Sequence, residues 1–191
     1  MPTKLSDELK EAIRAMPERE KDTLLLRLVA KDALLVRKLQ HQLLEDEVDR
    51  EAQRDALAQQ VQDHFASDGF AEWSYTPGLI MMEMRNVSGA ITRHVKVTKD
   101  KYGEVQLLLL MINLPFRHQR KTLEKKMRRA DKFAAYTCKK AQIALKKLNS
   151  LNEDYYIEFE REANEMLAYL RQYPPTAQRM NEYQLPDEWE H

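Results

Sequence analysis

The chain contains 191 residues, of which 43% are hydrophobic and 32% are charged, with four glycines and seven prolines. This balance is too apolar for a disordered protein and too poor in turn-forming residues for an all-β fold, so it predicts an all-α, multi-helix protein. Lysine and arginine together number 31, as do aspartate and glutamate, so the net charge excludes long-range attraction to nucleic acid or to an anionic membrane.

Two leucine-rich segments near the amino terminus predict a succession of short helices. Ser6 is a candidate N-cap because its hydroxyl can accept a hydrogen bond from a first-turn amide, and Pro17 suits the first position of a second helix. Residues 21–27, KDTLLLR, are echoed by residues 31–37, KDALLVR, which predicts a new helix beginning at Asp32. The echo indicates either an α-solenoid-like repeat or two ordinary helices, and the second is favoured because a repeat array needs about three units.

The next helices complete the predicted N-terminal part of the fold. The second echoed helix is expected to face Leu35, Leu39 and Leu43 inward, because they recur at a spacing of four. A third long helix is predicted over residues 48–66. It is expected to stop at Gly69, since glycine readily adopts the left-handed conformation that ends many helices.

The predicted organisation is one compact domain with two helical lobes. The N-terminal lobe covers residues 1–69, residues 70–78 form the connection, and the C-terminal lobe covers residues 79–173. The connection carries Trp73 and Tyr75 beside a Pro-Gly pair. These rings either line a ligand site or seal the end of a core, and the second interpretation is favoured.

Residues 90–113 permit two interpretations. Apolar residues recur at helical spacing from Ile80 to Val95, whereas residues 91–98, ITRHVKVT, place branched side chains at alternate positions and fit one strand of a β-hairpin. The helix is favoured because its spacing is continuous. Pro115 is expected to end the apolar run that follows, since proline lacks an amide for the helical hydrogen bond.

The strongest signal in the chain is a long basic helix predicted over residues 117–148. Between Arg117 and Lys147 there are twelve basic residues and only two acidic ones, with no glycine or proline. An apolar stripe at helical spacing predicts that Cys138 is a core residue and not a nucleophile. The opposite side of the helical wheel predicts an exposed basic ridge made of Arg128, Arg129, Lys132, Tyr136, Lys139, Lys140, Lys146 and Lys147.

The basic ridge has two interpretations. It is either the solvated face of a helix, with part of its charge paired inside the protein, or a docking surface for nucleic acid or an acidic protein. As a nucleic-acid surface it would contact successive phosphates, with Tyr136 stacking on an unpaired base. The solvated face is favoured, and the docking surface is the alternative.

An acidic segment follows the basic helix. Residues 153–191 hold ten acidic residues against three arginines, and an apolar stripe predicts a helix that forms an antiparallel hairpin with the basic one. Residues 174–191 are predicted to be a loose acidic tail, in which Trp189 is either frayed or tucked into a groove, the frayed state being favoured. The acids expected to pair with the edge of the basic helix are Asp154, Glu158, Glu162 and Glu165.

The sequence carries no motif for catalysis, cofactor binding or a paired-cysteine zinc site. Two histidine–acid pairs at helical spacing, His41 with Glu45 and His64 with Asp68, are candidates for a metal ion. Helical di-metal sites usually carry a glutamate three residues before each histidine ligand, and neither pair has one. No catalytic residue, metal ligand or cofactor is therefore predicted.

The sequence predicts a cytoplasmic protein without a membrane span. Its single cysteine cannot form an internal disulfide, and its amino terminus mixes acids and bases where a secretory signal needs an apolar stretch. The longest apolar run, residues 107–112, is far shorter than the roughly 18 residues of a candidate span.

These observations favour a non-catalytic helical interaction or scaffold protein that binds a protein partner. The alternative is nucleic-acid binding, to RNA in particular, through the basic helix at residues 117–147. A metal-dependent enzyme is the third hypothesis. The sequence leaves the specific role, the identity of the partner and the oligomeric state open.

Overall fold

The computed structural model describes residues 4–67, 69–70, 76–125 and 128–190. Within those ranges the chain forms helices and no β-strand, which confirms the all-α prediction. A 3₁₀ turn at Glu153–Tyr155 precedes the helix that begins at Tyr156. The helices are α1 (Asp7–Ala15), α2 (Glu18–Val29), α3 (Ala33–Leu44), α4 (Glu47–Ala66), α5 (Pro77–Thr98), α6 (Lys101–His118), α7 (Arg120–Lys125), α8 (Ala130–Leu148), α9 (Tyr156–Gln172) and α10 (Pro174–Ala177).

The helices belong to two compact units that divide between Glu45 and Asp46. We call α1 to α3 the three-helix unit and α4 to α10 the bundle. The predicted boundary near residue 70 differs from this division, because Phe65 of α4 is fully buried in the same core as α5 and α6. The aromatic pair of the predicted connection, Trp73 and Tyr75, lies outside the described residues.

Side-chain caps begin α1 and α3 where the sequence predicts helix starts, whereas α2 follows Pro17 without a side-chain cap. The Ser6 hydroxyl accepts a hydrogen bond from the Leu9 amide at 3.3 Å. The Asp32 carboxylate accepts from the amides of Leu34 and Leu35 at 2.9 and 3.1 Å. Each cap satisfies backbone donors that a helix leaves free in its first turn, so the predicted starts at Ser6 and Asp32 are confirmed.

Helix α4 begins with a capping box and ends without a left-handed glycine. Asp46 and Asp49 each accept a hydrogen bond from the other's amide, at 3.1 Å in both directions. At the other end Ser67 is extended, and its hydroxyl accepts from the Phe70 amide at 3.1 Å. The expected left-handed conformation at Gly69 is wrong, since no glycine in the described ranges has a positive φ.

Helix α6 is the central helix of the bundle and contacts α4, α5, α8 and α9. Its apolar run, Leu107 to Ile112, is buried on nearly all sides, as expected of a helix that is hydrophobic around its whole circumference. The helix continues through Pro115, so the expected end of the helix there is wrong. Across the described ranges, no helix is both long and apolar enough to cross a membrane.

Residues 90–113 lie in two helices and not in a β-hairpin, which confirms the favoured interpretation. The turn between α5 and α6 uses Lys99 in the left-handed region, with φ 58°, and Asp100 as the cap of α6. The Asp100 carboxylate accepts a hydrogen bond from the Gly103 amide at 2.8 Å. Any side chain at position 103 would overlap that carboxylate and the Arg54 side chain, so the close approach requires glycine.

The predicted single basic helix over residues 117–148 is wrong, because the chain breaks on both sides of α7. Helix α6 ends at His118, and Gln119 is not helical. Arg129 precedes α8 in the left-handed conformation, with φ 63°, and its side chain packs against Gly78 at the start of α5. A Cβ at position 78 would lie 2.8 Å from the Arg129 Cδ, so this contact fits only glycine.

The segment predicted to be a loose tail packs onto the bundle. Trp189 is only 5% exposed. Its backbone amide donates to Asn164 Oδ1 at 2.7 Å, and its indole N–H donates to Asn149 Oδ1 at 2.8 Å. The indole thus buries a large apolar ring while both of its donors stay paired, which offsets the entropy lost on ordering the segment.

Candidate interaction surfaces

The eight residues of the predicted basic ridge do not share one exposed face. Five of them are exposed: Arg128, Arg129, Lys132, Lys139 and Lys146. The other three, Tyr136, Lys140 and Lys147, are half-buried. On the helical wheel these three lie beside the buried stripe of α8 and not opposite to it, which places them against neighbouring helices.

Tyr136 is engaged inside the bundle. Its hydroxyl donates a hydrogen bond to the Met84 carbonyl oxygen on α5 at 3.3 Å. Its ring has the Arg85 guanidinium 5.4 Å and the Lys140 ammonium 5.6 Å from its centroid, both within cation–π distance. Burial raises the pKa of Tyr136. The ring is therefore held by the fold and is not presented for stacking on a base.

Two of the ridge lysines also contact neighbouring helices of the bundle. Lys140 donates a hydrogen bond to the Ser88 hydroxyl at 2.7 Å, and burial lowers the pKa of Lys140. Lys147 forms an ion pair with Glu104 on α6 at 2.8 Å. These contacts attach α8 to α5 and α6, so part of the local positive charge is used internally.

Three of the exposed lysines form a straight row along α8. Lys132, Lys139 and Lys146 are seven residues apart, which spaces them by about 10.5 Å along the helix axis. Lys139 donates to the Gln142 side chain at 2.9 Å. No carboxylate of the described residues forms an ion pair with any member of this lysine row. The row is therefore free to attract an anionic partner.

An apolar groove lies next to the lysine row. Its volume is about 690 Å³, and both Lys139 and Lys146 contribute to its wall. The remaining lining includes Ile143, Leu185 and Trp189. Because Trp189 is buried and hydrogen-bonded, its ring forms part of the wall of the groove and is not a free stacking platform.

Two acidic residues of α9, Glu158 and Glu165, contact α6 and not α8. The predicted pairing with the basic segment is confirmed for Glu165, because its partner Arg117 belongs to that segment, although Arg117 lies on α6. Glu165 accepts from the Arg117 guanidinium at 2.9 Å, which lowers the pKa of Glu165. Glu158 accepts from the Tyr102 hydroxyl at 2.7 Å. The reason is positional, since α9 packs closely on the central helix α6 and those two partners lie on α6.

The three-helix unit exposes most of its large apolar side chains. No residue of α1, α2 or α3 is buried. Helical spacing predicted inward-facing leucines here, which is wrong for Leu43. A run such as LLLRLV carries more leucines than one helix face can hold, so exposed leucines could have been expected. Most exposed are Leu26 at 69%, Leu43 at 74% and Leu44 at 80%. Together with the exposed Leu25 and Leu28 we call this set of leucines the leucine surface.

The candidate metal ligands do not assemble into a site. His41 contacts Glu45 at 3.0 Å, whereas the predicted partner of His64, Asp68, lies outside the described residues. Across the part of the chain that the structure describes, no group of three or more metal-binding side chains occurs. Cys138 is fully buried, and burial raises the pKa of its thiol to about 11, so the prediction that it is a core residue is confirmed.

No family model, curated protein sequence or solved structure matches this chain.

Proposed function

We propose that the protein is a non-catalytic helical interaction protein that binds a second copy of itself through the leucine surface. The observation that carries this proposal is the exposure of Leu26, Leu43 and Leu44 together with the lack of any buried residue in the same three helices. Exposed large apolar side chains mark interaction sites on soluble proteins where they form a patch, so the accumulation of exposed leucines in one small unit supports the proposal.

The chemistry of the three-helix unit favours a second copy as the occupant. Residues 4–45 carry eight acidic and nine basic side chains, so two copies meet with almost no net repulsion. A two-fold interface uses the same surface on both copies. The leucine surfaces of two copies can therefore bury each other without a second kind of protein. The hydrophobic effect then supplies the driving force.

The test is sedimentation velocity of the full chain from about 1 to 100 μM, a range that resolves micromolar association. The variant Leu26→Gln/Leu44→Gln keeps helix propensity but removes two apolar contacts from each copy. Burying a leucine is worth about 1.5–3 kcal/mol, and a symmetric interface loses each contact twice. We therefore expect the variant to associate at least about a hundredfold more weakly.

The matched control is Met82→Gln/Ile157→Gln, which changes two exposed apolar side chains of the bundle. It should associate as the unchanged chain does. A chain that remains monomeric over the whole range, or a control variant that weakens association equally, would contradict the proposal.

The second candidate function is nucleic-acid binding, favoured by the lysine row Lys132, Lys139 and Lys146. Three exposed cations along one helix face suit contacts to phosphates, and no ion pair among the described residues has to be broken to free them. With Tyr136 held inside the bundle, base stacking on that ring forms no part of this proposal, so the expected binding is electrostatic and independent of sequence.

The discriminating measurement is binding of a labelled mixed-sequence single-stranded RNA and of a DNA duplex, from about 50 to 200 mM salt. Binding through the row should weaken steeply with salt and be lost on charge reversal of all three lysines to glutamate. The control reverses the exposed Lys96, Lys101 and Lys121 instead, which gives the same net charge. Equal losses in both variants would show that net charge alone is responsible, and absence of binding at the lowest salt would remove this candidate.

A further inference from the structure

A polar pocket lies inside the bundle, between α4, α6 and α9. Its volume is about 240 Å³, enough for a small organic molecule and far less than a drug-sized site. Its lining shares no residue with the leucine surface or with the lysine row. The lining residues that matter chemically are Tyr102, Gln106, Asn113, Glu158, Phe159 and Glu162.

Two lining side chains carry buried oxygen acceptors that lack a hydrogen-bond partner in the part of the chain that the structure describes. Asn113 is 1% exposed, and its amide NH₂ donates to the Glu162 backbone oxygen at 3.0 Å, which directs Asn113 Oδ1 elsewhere. Neither Asn113 Oδ1 nor Gln106 Oε1 has a hydrogen-bond partner among the described residues. A buried acceptor left unpaired is costly, so a ligand that donates hydrogen bonds to both atoms would be stabilised here.

The charges around the pocket favour a positively charged ligand. The Glu162 carboxylate has no ion-pair partner among the described residues. Arg117, the cation at the pocket, is already held by Glu165 at 2.9 Å. Tyr102 stays a neutral donor to Glu158, because burial and that carboxylate raise its pKa to about 12. The unpaired charge left to meet a ligand is therefore negative.

The apolar part of the lining favours an organic cation over a bare metal ion. Leu109, Leu110 and Phe159 contribute to the wall, which suits a short methylene chain. Within the described ranges no cluster of three metal-binding side chains exists at this or any other position. An alkylammonium ligand combines the required donors and charge with an apolar body.

We propose that this pocket binds a small aliphatic diamine. One ammonium group donates to Asn113 Oδ1 beside the Glu162 carboxylate. The other donates to Gln106 Oε1, about two helical turns away on α6, and the methylene chain contacts Leu109 and Phe159. This inference does not rest on self-association or on nucleic-acid binding, since it uses neither of those surfaces.

The test is isothermal titration of the full chain with 1,4-diaminobutane, a fully charged short diamine, with 1,4-butanediol as its uncharged counterpart. We expect saturable binding of the diamine at one site and none of the diol. Glu162→Gln and Gln106→Leu each remove one ligand contact, and each should weaken diamine binding by about tenfold or more. Glu160→Gln removes an exposed acid of the same helix that does not line the pocket, and it should bind the diamine unchanged.

Thermal unfolding of each variant without ligand verifies that the bundle is folded. If Gln106→Leu fails to fold, the loss of diamine binding is measured with Glu162→Gln alone. No saturable heat with the diamine would overturn the proposal. Equal affinity for the diol, or equal losses in Glu160→Gln and Glu162→Gln, would do so as well, because the binding would then not depend on the positive charge of the ligand or on the Glu162 carboxylate.

Discussion

The three-helix unit and the bundle use the same local rules and reach opposite states of burial. Both start helices with hydroxyl or carboxylate caps, as at Ser6 and Asp46. Yet no residue of α1 to α3 is buried, whereas the apolar run of α6 is covered by four other helices. The difference teaches that capping and propensity decide where a helix forms, while burial depends on how many helices surround it.

Size explains much of this contrast. A unit of about 40 residues has too much surface for its volume to enclose a core, and such units usually need association or cross-links to become stable. The bundle has enough helices to surround one of them completely. Leucines such as Leu26 and Leu44 are therefore exposed for lack of neighbours and not for lack of hydrophobicity.

The largest effect that tests the comparison is expected from truncation of the central helix. Leu109→Ala removes a fully buried side chain and should lower the free energy of unfolding of the bundle by about 2–5 kcal/mol. Leu26→Ala in the three-helix unit should change the stability of the bundle by less than about 0.5 kcal/mol. Native-state amide hydrogen exchange, which resolves α6 from α2, measures both at low protein concentration.

A comparable loss from the two alanine variants would break the comparison, because it would mean that the leucine surface contributes to a core. Slow exchange in α2 that matches α6 in a dilute sample would have the same meaning. Fast amide exchange in α1 to α3 together with slow exchange in α6 would support the comparison, because it would show that only the bundle has a protected core.

A smaller effect is expected from the buried cap of α6. Although burial alone raises the pKa of Asp100, the His94 ring, the Gly103 amide and the Arg54 guanidinium outweigh it and lower the pKa below the ordinary value of 3.8. A lowered pKa in the folded state means that the carboxylate stabilises the bundle above pH 3.8, and that this contribution is lost as the pH falls through the folded pKa. Asp100→Asn should lower the free energy of unfolding by about 1 kcal/mol at neutral pH. It should also make that free energy fall less steeply as the pH is lowered.

Urea unfolding of both proteins between neutral and acidic pH checks this prediction, with Asp7→Asn in the three-helix unit as the control. Asp7 is exposed, so its replacement should leave the loss of stability toward acid unchanged. An Asp100→Asn bundle that loses stability toward acid as steeply as the native one would contradict the assignment.

The features that could be predicted from the sequence are those set by neighbours along the chain. The caps at Ser6 and Asp32 need only the next three residues, and both predictions are confirmed. The inward stripe of α8, including Ala134 and Cys138, follows from helical spacing alone and is buried as predicted. Periodicity was also sufficient to favour helices over a hairpin in residues 90–113.

The features that could not be predicted depend on residues distant in sequence. Arginine seldom adopts a left-handed conformation, and the break at Arg129 accompanies its packing against Gly78, which lies about 50 positions earlier. The pairing of Glu165 with a residue of α6 and not of α8 depends on which helix packs against α9, and the helical wheel contains no information about that choice.

The polar pocket did leave one signal in the sequence. Asn113 directly follows the apolar run that forms the centre of α6. A polar side chain in such a buried position needs a hydrogen-bond partner, either within the protein or in a ligand. Its meaning became clear only once Gln106 and Glu162 were seen to line the same cavity, because these residues belong to two different helices.

The burial of Trp189 gives the bundle an intrinsic optical reporter. An indole that is shielded from water and hydrogen-bonded to Asn149 emits at shorter wavelength than a solvated one. The chain contains one other tryptophan, Trp73, so replacing that residue with phenylalanine leaves a single fluorophore. Its emission then follows the docking of the last segment onto α8 and α9, spectroscopically and without any label.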